Sequence, residues 1–138
     1  MVKQIFVNLP VHDLQATMEF FGKLGFAFNE QFTDENAACM VIGENLYVML
    51  LTEAFFQTFI SKEIADTNKV TEVLNALSVE SREEVDEMMD KAVEAGATES
   101  REPQDQGFMY SRAFEDLDGH IWEVFYMDMS QAPQTPGA

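Results

Sequence analysis

The chain has 138 residues, with 25 acidic against 8 basic side chains, a formal charge of −17, and 46% hydrophobic residues including 12 Phe and 9 Met. That length suits one compact domain or two small half-domains, which excludes a separate cofactor domain, and so apolar a chain is not disordered. The charge repels phosphate backbones and anionic lipid heads, so neither nucleic acid nor membrane is an expected partner.

Taken in chain order, Ile5–Val11 is β-branched and aromatic and reads as a strand that enters the chain without a leader-like apolar region, which makes the cytoplasm the expected location. Asp13 is placed to cap a helix over Asp13–Lys23, whose Leu14, Met18, Phe21 and Leu24 recur at helical spacing before Gly25. Strand-like segments follow at Phe26–Thr33, Ala37–Ile42 and Leu46–Leu51, parted by turns at Asp34-Glu35-Asn36 and Gly43-Glu44-Asn45. Cys39 lies within the apolar run and is expected as a small buried thiol. Phe55, Phe56, Phe59 and Ile60 suggest a short helix that leads into a linker, 53–69.

The pattern then starts again. Thr71–Val79 is strand-like, and Ser81 caps a helix with Glu83 and Glu84 in its first turn and Val85, Met88, Met89, Ala92 and Val93 on one face. After Gly96 come strands at Thr98–Pro103, Met109–Glu115 and Ile121–Met127, the last two joined at Asp118-Gly119-His120. Residues 129–138 have no periodicity and are expected to be a disordered tail.

Leu9-Pro10-Val11 answers Leu77-Ser78-Val79, Gly25 answers Gly96, and Gly43–Tyr47 answers Asp118–Trp122, a repeat of about 68–75 residues. The expected fold is therefore α+β: two βαβββ modules, 1–52 and 70–128, whose curled four-stranded sheets carry helices outside and form a shared cup within a single domain, 1–128.

Three segments carry a family resemblance: Phe6–Leu14, Phe20–Phe26 and Phe114–Val124. Through them the chain resembles the vicinal oxygen chelate superfamily of glyoxalase, bleomycin-resistance, fosfomycin-resistance and extradiol dioxygenase proteins. Within it the chain looks most like the bacterial group labelled lactoylglutathione lyase-related. The resemblance implies a homodimer and, in metal-dependent members, one ligand on the first and one on the last strand of each module. Those positions fall on Phe6, Val48, Leu74 and Glu123, and of these only Glu123 can bind a divalent metal. No metal or other cofactor is therefore expected. His12 and His120 sit in turns where exposure is the expectation, and Cys39 has no neighbouring base for nucleophilic work.

Alternation along strands puts Gln4, Phe6 and Asn8 on the cup face, with Ile5, Val7 and Leu9 against the helices. By the same rule Ile121, Glu123 and Phe125 face inward, as do Leu46, Val48 and Leu50. A carboxylate in so apolar a cup needs compensation, and Tyr110 and Arg112 on the neighbouring strand are the candidates. Three readings stay open. Glu123 could serve a structural pair; the cup could bind a small, partly apolar molecule through Phe6, Asn8, Val48, Leu74, Phe108, Tyr110, Arg112 and Phe125, as bleomycin-resistance proteins hold a drug; or Glu123 could be the catalytic general base of a lyase or isomerase, with Asn8, Tyr110 or Arg112 on the oxyanion. Binding is the preferred one.

Overall fold

The computed structural model describes residues 1–131, and the chain divides into two compact units, Met1–Asp66 and Thr67–Ala138. In the first unit strand β1 (Phe6–Val11) runs into helix α1 (Leu14–Lys23), which starts where the Asp13 side chain accepts the Ala16 N–H at 3.0 Å. Leu14, Thr17, Phe20 and Phe21 form its buried face, and Gly25 takes φ +104° just beyond its end, a conformation that favours glycine. Strands β2 (Ala27–Phe28), β3 (Ala37–Gly43) and β4 (Leu46–Thr52) complete a sheet of order β1-β4-β3-β2, in which β1 runs parallel to β4. Helix α1 packs against β3 and β4.

The strand expected over Phe26–Thr33 is much shorter. The Asn29 side chain accepts the Gln31 N–H at 3.0 Å and starts a single 3-10 turn, Glu30–Phe32, so a local side-chain bond replaces the ladder. The short helix expected at the start of 53–69 is present. Thr52 Oγ1 accepts the Phe55 N–H, helix α2 (Glu53–Gln57) packs on β1 and β4, and residues to Asp66 belong to the first unit. Ile5 is 74% exposed ahead of β1 and does not pack on a helix.

The second unit repeats the plan with strand β5 (Leu74–Ser78), helix α3 (Arg82–Glu94), and strands β6 (Thr98–Glu99), β7 (Gln104–Asp105), β8 (Met109–Glu115) and β9 (Ile121–Met127). Its sheet order is β5-β9-β8-β6, with β7 also on β8 and β5 parallel to β9. Ser81 Oγ caps α3 by accepting the Glu84 N–H at 3.0 Å. Val85, Met89 and Ala92 turn inward, whereas Val93, expected on that face, is 47% exposed. Trp122, Phe114 and Val124 are fully buried, and large apolar side chains buried in this way stabilise by about 1.5–3 kcal/mol each.

Strand β5 is shorter than the expected Thr71–Val79, and Thr98–Pro103 resolves into β6 followed by an irregular stretch before β7. Pro103 has no N–H to give a ladder there. His120 is 7% exposed, not an exposed turn residue, because its own N–H and that of Asp118 donate to Asp116 Oδ1 while Trp122 Nε1 donates to Oδ2 at 2.9 Å. Burial pushes the Asp116 carboxyl above its ordinary range, against the opposing pull of His120 and the Trp122 N–H. Of the expected tail, Met129 to Gln131 make a turn in which Asp128 accepts from the Ser130 backbone and hydroxyl, and 132–138 lie outside the described residues. Among the described residues no helix is long and apolar enough to cross a membrane.

Candidate functional site

The hairpin turn at Gly119, φ +84°, sets the register of β8 on β9: Ser111 opposite Phe125, Ala113 opposite Glu123, Glu115 opposite Ile121. On the other side β5 places Leu74 beside Ile121, Ala76 beside Glu123 and Ser78 beside Phe125. Directly paired residues share a face, so these nine positions form three rows on the side of the sheet away from α3. Glu123 stands in the middle row between two alanines, whose small side chains leave space around its carboxylate.

That space is a cavity of about 400 Å3. Leu74, Ala113 and Ile121 supply apolar lining; Lys69, Arg101, Glu115 and Glu123 supply charge. One wall is the strap Thr67-Asn68-Lys69, held where Thr67 Oγ1 donates to the Asp118 carbonyl.

Arg101 is the residue that sequence reasoning missed. Ser100 N–H still donates to the Ala113 carbonyl and Gln104 pairs with Ser111, so Arg101, Glu102 and Pro103 bulge from the edge of β8. From that bulge Arg101 Nη2 donates to Glu123 Oε2 at 2.8 Å and to Ser111 Oγ at 3.2 Å, while Nη1 reaches the Glu102 carbonyl at 3.3 Å. The two charged side chains are 27% and 26% exposed. The expected compensation of Glu123 is therefore present, but Arg101 provides it.

Tyr110 and Arg112, the expected partners, lie on the opposite face. They pair across β9 with Tyr126 and Val124 and reach α3: Tyr110 donates to Asp86 Oδ1 at 2.7 Å, and Arg112 donates to the same oxygen at 2.9 Å and to both oxygens of Glu99. The Glu99 bonds lead in holding the Arg112 guanidinium above its usual range, and burial followed by the Asp86 bond raises the Tyr110 hydroxyl. Next to them Arg82 lies over the Tyr110 ring and grips Asp105 with two bonds of 2.9 Å, so that its guanidinium holds the Asp105 carboxyl down to about 2. These clamps fix both ends of the Arg101 bulge, Glu99 on one side and Asp105 on the other.

Leu74 and Phe125 share the Glu123 face, although only Leu74 lines the cavity. Phe108 is half-buried ahead of β8, with its carbonyl accepting the Asp128 N–H, and is not in the cavity wall. In the first unit Phe6 stacks on Tyr47 with ring centroids 5.4 Å apart, and Asn8 donates to the Phe6 carbonyl. Val48 does not share their face: it pairs with Val7, is 3% exposed and belongs to the set of Leu9 and Leu50, while Met49 pairs with Asn8. Leu46, aligned with Val48 and Leu50 in the sequence, is 54% exposed. The counterpart of Glu123 is thus Met49, because Asn8–Met49 occupies the place of Ala76–Glu123.

His12 is exposed as expected, with Nδ1 3.1 Å from Glu53 Oε1. Cys39 is buried, and burial raises its thiol above the ordinary value.

Both units thus carry one βαβββ plan, with a parallel pair formed by their first and last strands and curled mixed sheets. A family model described as bleomycin resistance protein-like N-terminal matches residues 3–43. The hypothetical protein SA1046 of S. aureus is 30% identical over 91% of this chain and 94% of its own, with a TM-score of 0.79. A glyoxalase/bleomycin resistance protein/dioxygenase family enzyme from Burkholderia phytofirmans PsJN is similar in fold at 18% identity, TM-score 0.75, covering 88% of this chain and 96% of that one. So is a bleomycin resistance determinant encoded on the transposon Tn5, at 19% identity, TM-score 0.64, covering 92% and 99%. None of the curated proteins matches the chain. The chain belongs to the glyoxalase/bleomycin-resistance/dioxygenase family, the vicinal oxygen chelate superfamily.

The residues at the positions where metal-dependent members of this superfamily hold their ion do not fit one. The first unit offers Phe6 and the soft thioether of Met49; the second offers Leu74 and a Glu123 already bonded to Arg101. Divalent Zn, Ni, Fe or Mn needs several N, O or S donors, and among the described residues no group of three His, Cys, Asp or Glu side chains is placed to supply them.

Proposed function

We propose that this protein binds a small, partly apolar molecule on the face of its second sheet that carries Glu123, without a divalent metal in the site. The observation that supports it is the Arg101–Glu123 pair, set between Ala76 and Ala113 and beside Leu74 and Ile121 in a cavity of about 400 Å3. Ligand sites combine apolar walls with a few placed polar groups, and this cavity has both. The charge of −17 supports a small molecule rather than nucleic acid as the partner.

A second reading, a lyase or isomerase with Glu123 as general base, has one supporting observation: Oε1 accepts no hydrogen bond among the described residues. Against it, Oε2 is occupied by Arg101, and among the described residues no group of three His, Cys, Asp or Glu side chains could hold a metal to polarise a carbonyl. Elemental analysis and an NMR-detected metabolite screen on wild type and Glu123→Gln test both. Saturable shifts at Arg101, Ala113 and Glu123 without product are expected. Stoichiometric Zn, Ni, Fe or Mn would refute the metal-free reading, and turnover lost in Glu123→Gln would favour the enzyme.

A further inference from the structure

The lining of the second unit's cavity is unusual for this chain. Only 8 of its residues are Lys or Arg against 25 acids, yet the cavity gathers two cations, Lys69 and Arg101, with two acids, Glu115 and Glu123. It is a charge-balanced site on a strongly acidic protein. Among the described residues Lys69 and Glu115 form no ion pair, whereas Arg101 and Glu123 are joined at 2.8 Å.

Each simple charge type is opposed by something on the page. A small anion approaches through the field of a chain at −17, which repels it. A small cation is drawn in by that field but meets an ammonium and a guanidinium in the lining. A molecule with both charges avoids both penalties. Its anionic group can take N–H donors that Arg101 does not use on Glu102, Ser111 and Glu123, together with Lys69. Its cationic group can donate to Glu123 Oε1 or Glu115, and an apolar substituent can lie on Leu74, Ala113 and Ile121. About 400 Å3 is at the small end of ligand pockets.

Building on the binding function proposed above, we infer that the ligand is a small zwitterion with an apolar substituent, in the chemical class of the free apolar α-amino acids. The test is calorimetry and amide-resolved NMR on the full chain with L-leucine, L-methionine and L-phenylalanine, against N-acetyl-L-leucine, which keeps only the carboxylate, and L-leucinamide, which keeps only the ammonium. At least one free amino acid is expected to shift Arg101, Ala113 and Glu123 saturably, with both blocked forms at least tenfold weaker. Arg101→Gln and the exposed, packing-neutral Lys69→Gln are expected to weaken binding about tenfold and threefold, without a loss of folded signal.

Equal binding of free and blocked leucine overturns the zwitterion assignment, and so does unaltered affinity in Lys69→Gln together with a folded Arg101→Gln. If no amino acid binds at millimolar concentration but another small molecule shifts the same residues, the ligand class is wrong while the binding function stands. If no small molecule shifts them, both fall.

Discussion

The Arg101–Glu123 pair can be weighed by a double-mutant cycle of Arg101→Gln, Glu123→Gln and the double variant. Two unit charges about 4 Å apart interact by about 4 kcal/mol at an effective dielectric of 20 and about 1 kcal/mol in water. Both side chains are roughly a quarter exposed, which places them between these limits, and ordering two long side chains offsets part of the gain. Hydrogen bonds to charged groups are worth about 1.5–3 kcal/mol when sheltered, while exposed pairs give about 0.2–1 kcal/mol. The expected coupling is therefore about 1 kcal/mol, read from urea unfolding at low salt, and it should shrink at 1 M NaCl. The corresponding cycle for Arg112 and Glu123 should give about zero, since those side chains leave opposite faces of the sheet. A coupling below about 0.3 kcal/mol for Arg101 with Glu123, or a larger one for Arg112 with Glu123, would refute the assigned geometry.

Three further outcomes check the same structure. Val48→Asp places an unpaired carboxylate at a 3%-exposed position and should cost about 3–5 kcal/mol, whereas half-buried Met49→Asp should cost about 1–2 kcal/mol; similar urea midpoints for the two would contradict the strand register. Gly119→Ala would set a Cβ 2.6 Å from the Thr67 carbonyl at φ +84° and should destabilise by about 2–3 kcal/mol with faster amide exchange at the strap. Gly107→Ala, at φ +82° with nothing within 4 Å, serves as its control at about 1 kcal/mol. Asp105, held down to about 2 by Arg82, contributes stability present above its ordinary value of 3.8 and lost as pH falls through about 2; a carbon-detected titration should show the low midpoint and its return to the ordinary value in Arg82→Gln.

Much of the fold was legible because its signals are local. Asp13 and Ser81 cap helices through their own side chains, Gly25 and Gly96 take positive φ just beyond helix ends, and β8 and β9 have the bounds their patterns suggest. Two of the shortened strands meet a local competitor, the Asn29 side chain in one and Pro103 in the other. His120 could not be read from its turn, because its burial depends on Asp116 collecting the N–H groups of Asp118, His120 and Trp122.

The site errors have one physical cause. A strand has only two faces, so an alignment or register that is off by one residue moves a side chain through the sheet. Matching Gly43–Tyr47 to Asp118–Trp122 made Val48 the counterpart of Glu123, but the positive-φ turn residue that answers Gly119 is Asn45, and the pairing of Asn8 with Met49 moves that role to Met49. Even spacing kept Tyr110 and Arg112 together, yet the hairpin pairs Ala113 with Glu123 and so sends both toward α3. Arg101 was hidden for a different reason: it belongs to no regular strand, and its reach depends on clamps at Glu99 and Asp105 that come from elsewhere in the chain. The consequence for chemistry is specific. With the faces assigned, the cation that compensates Glu123 is Arg101, 2.8 Å away and in the cavity lining itself, so the site is a dipole that can accept both signs at once.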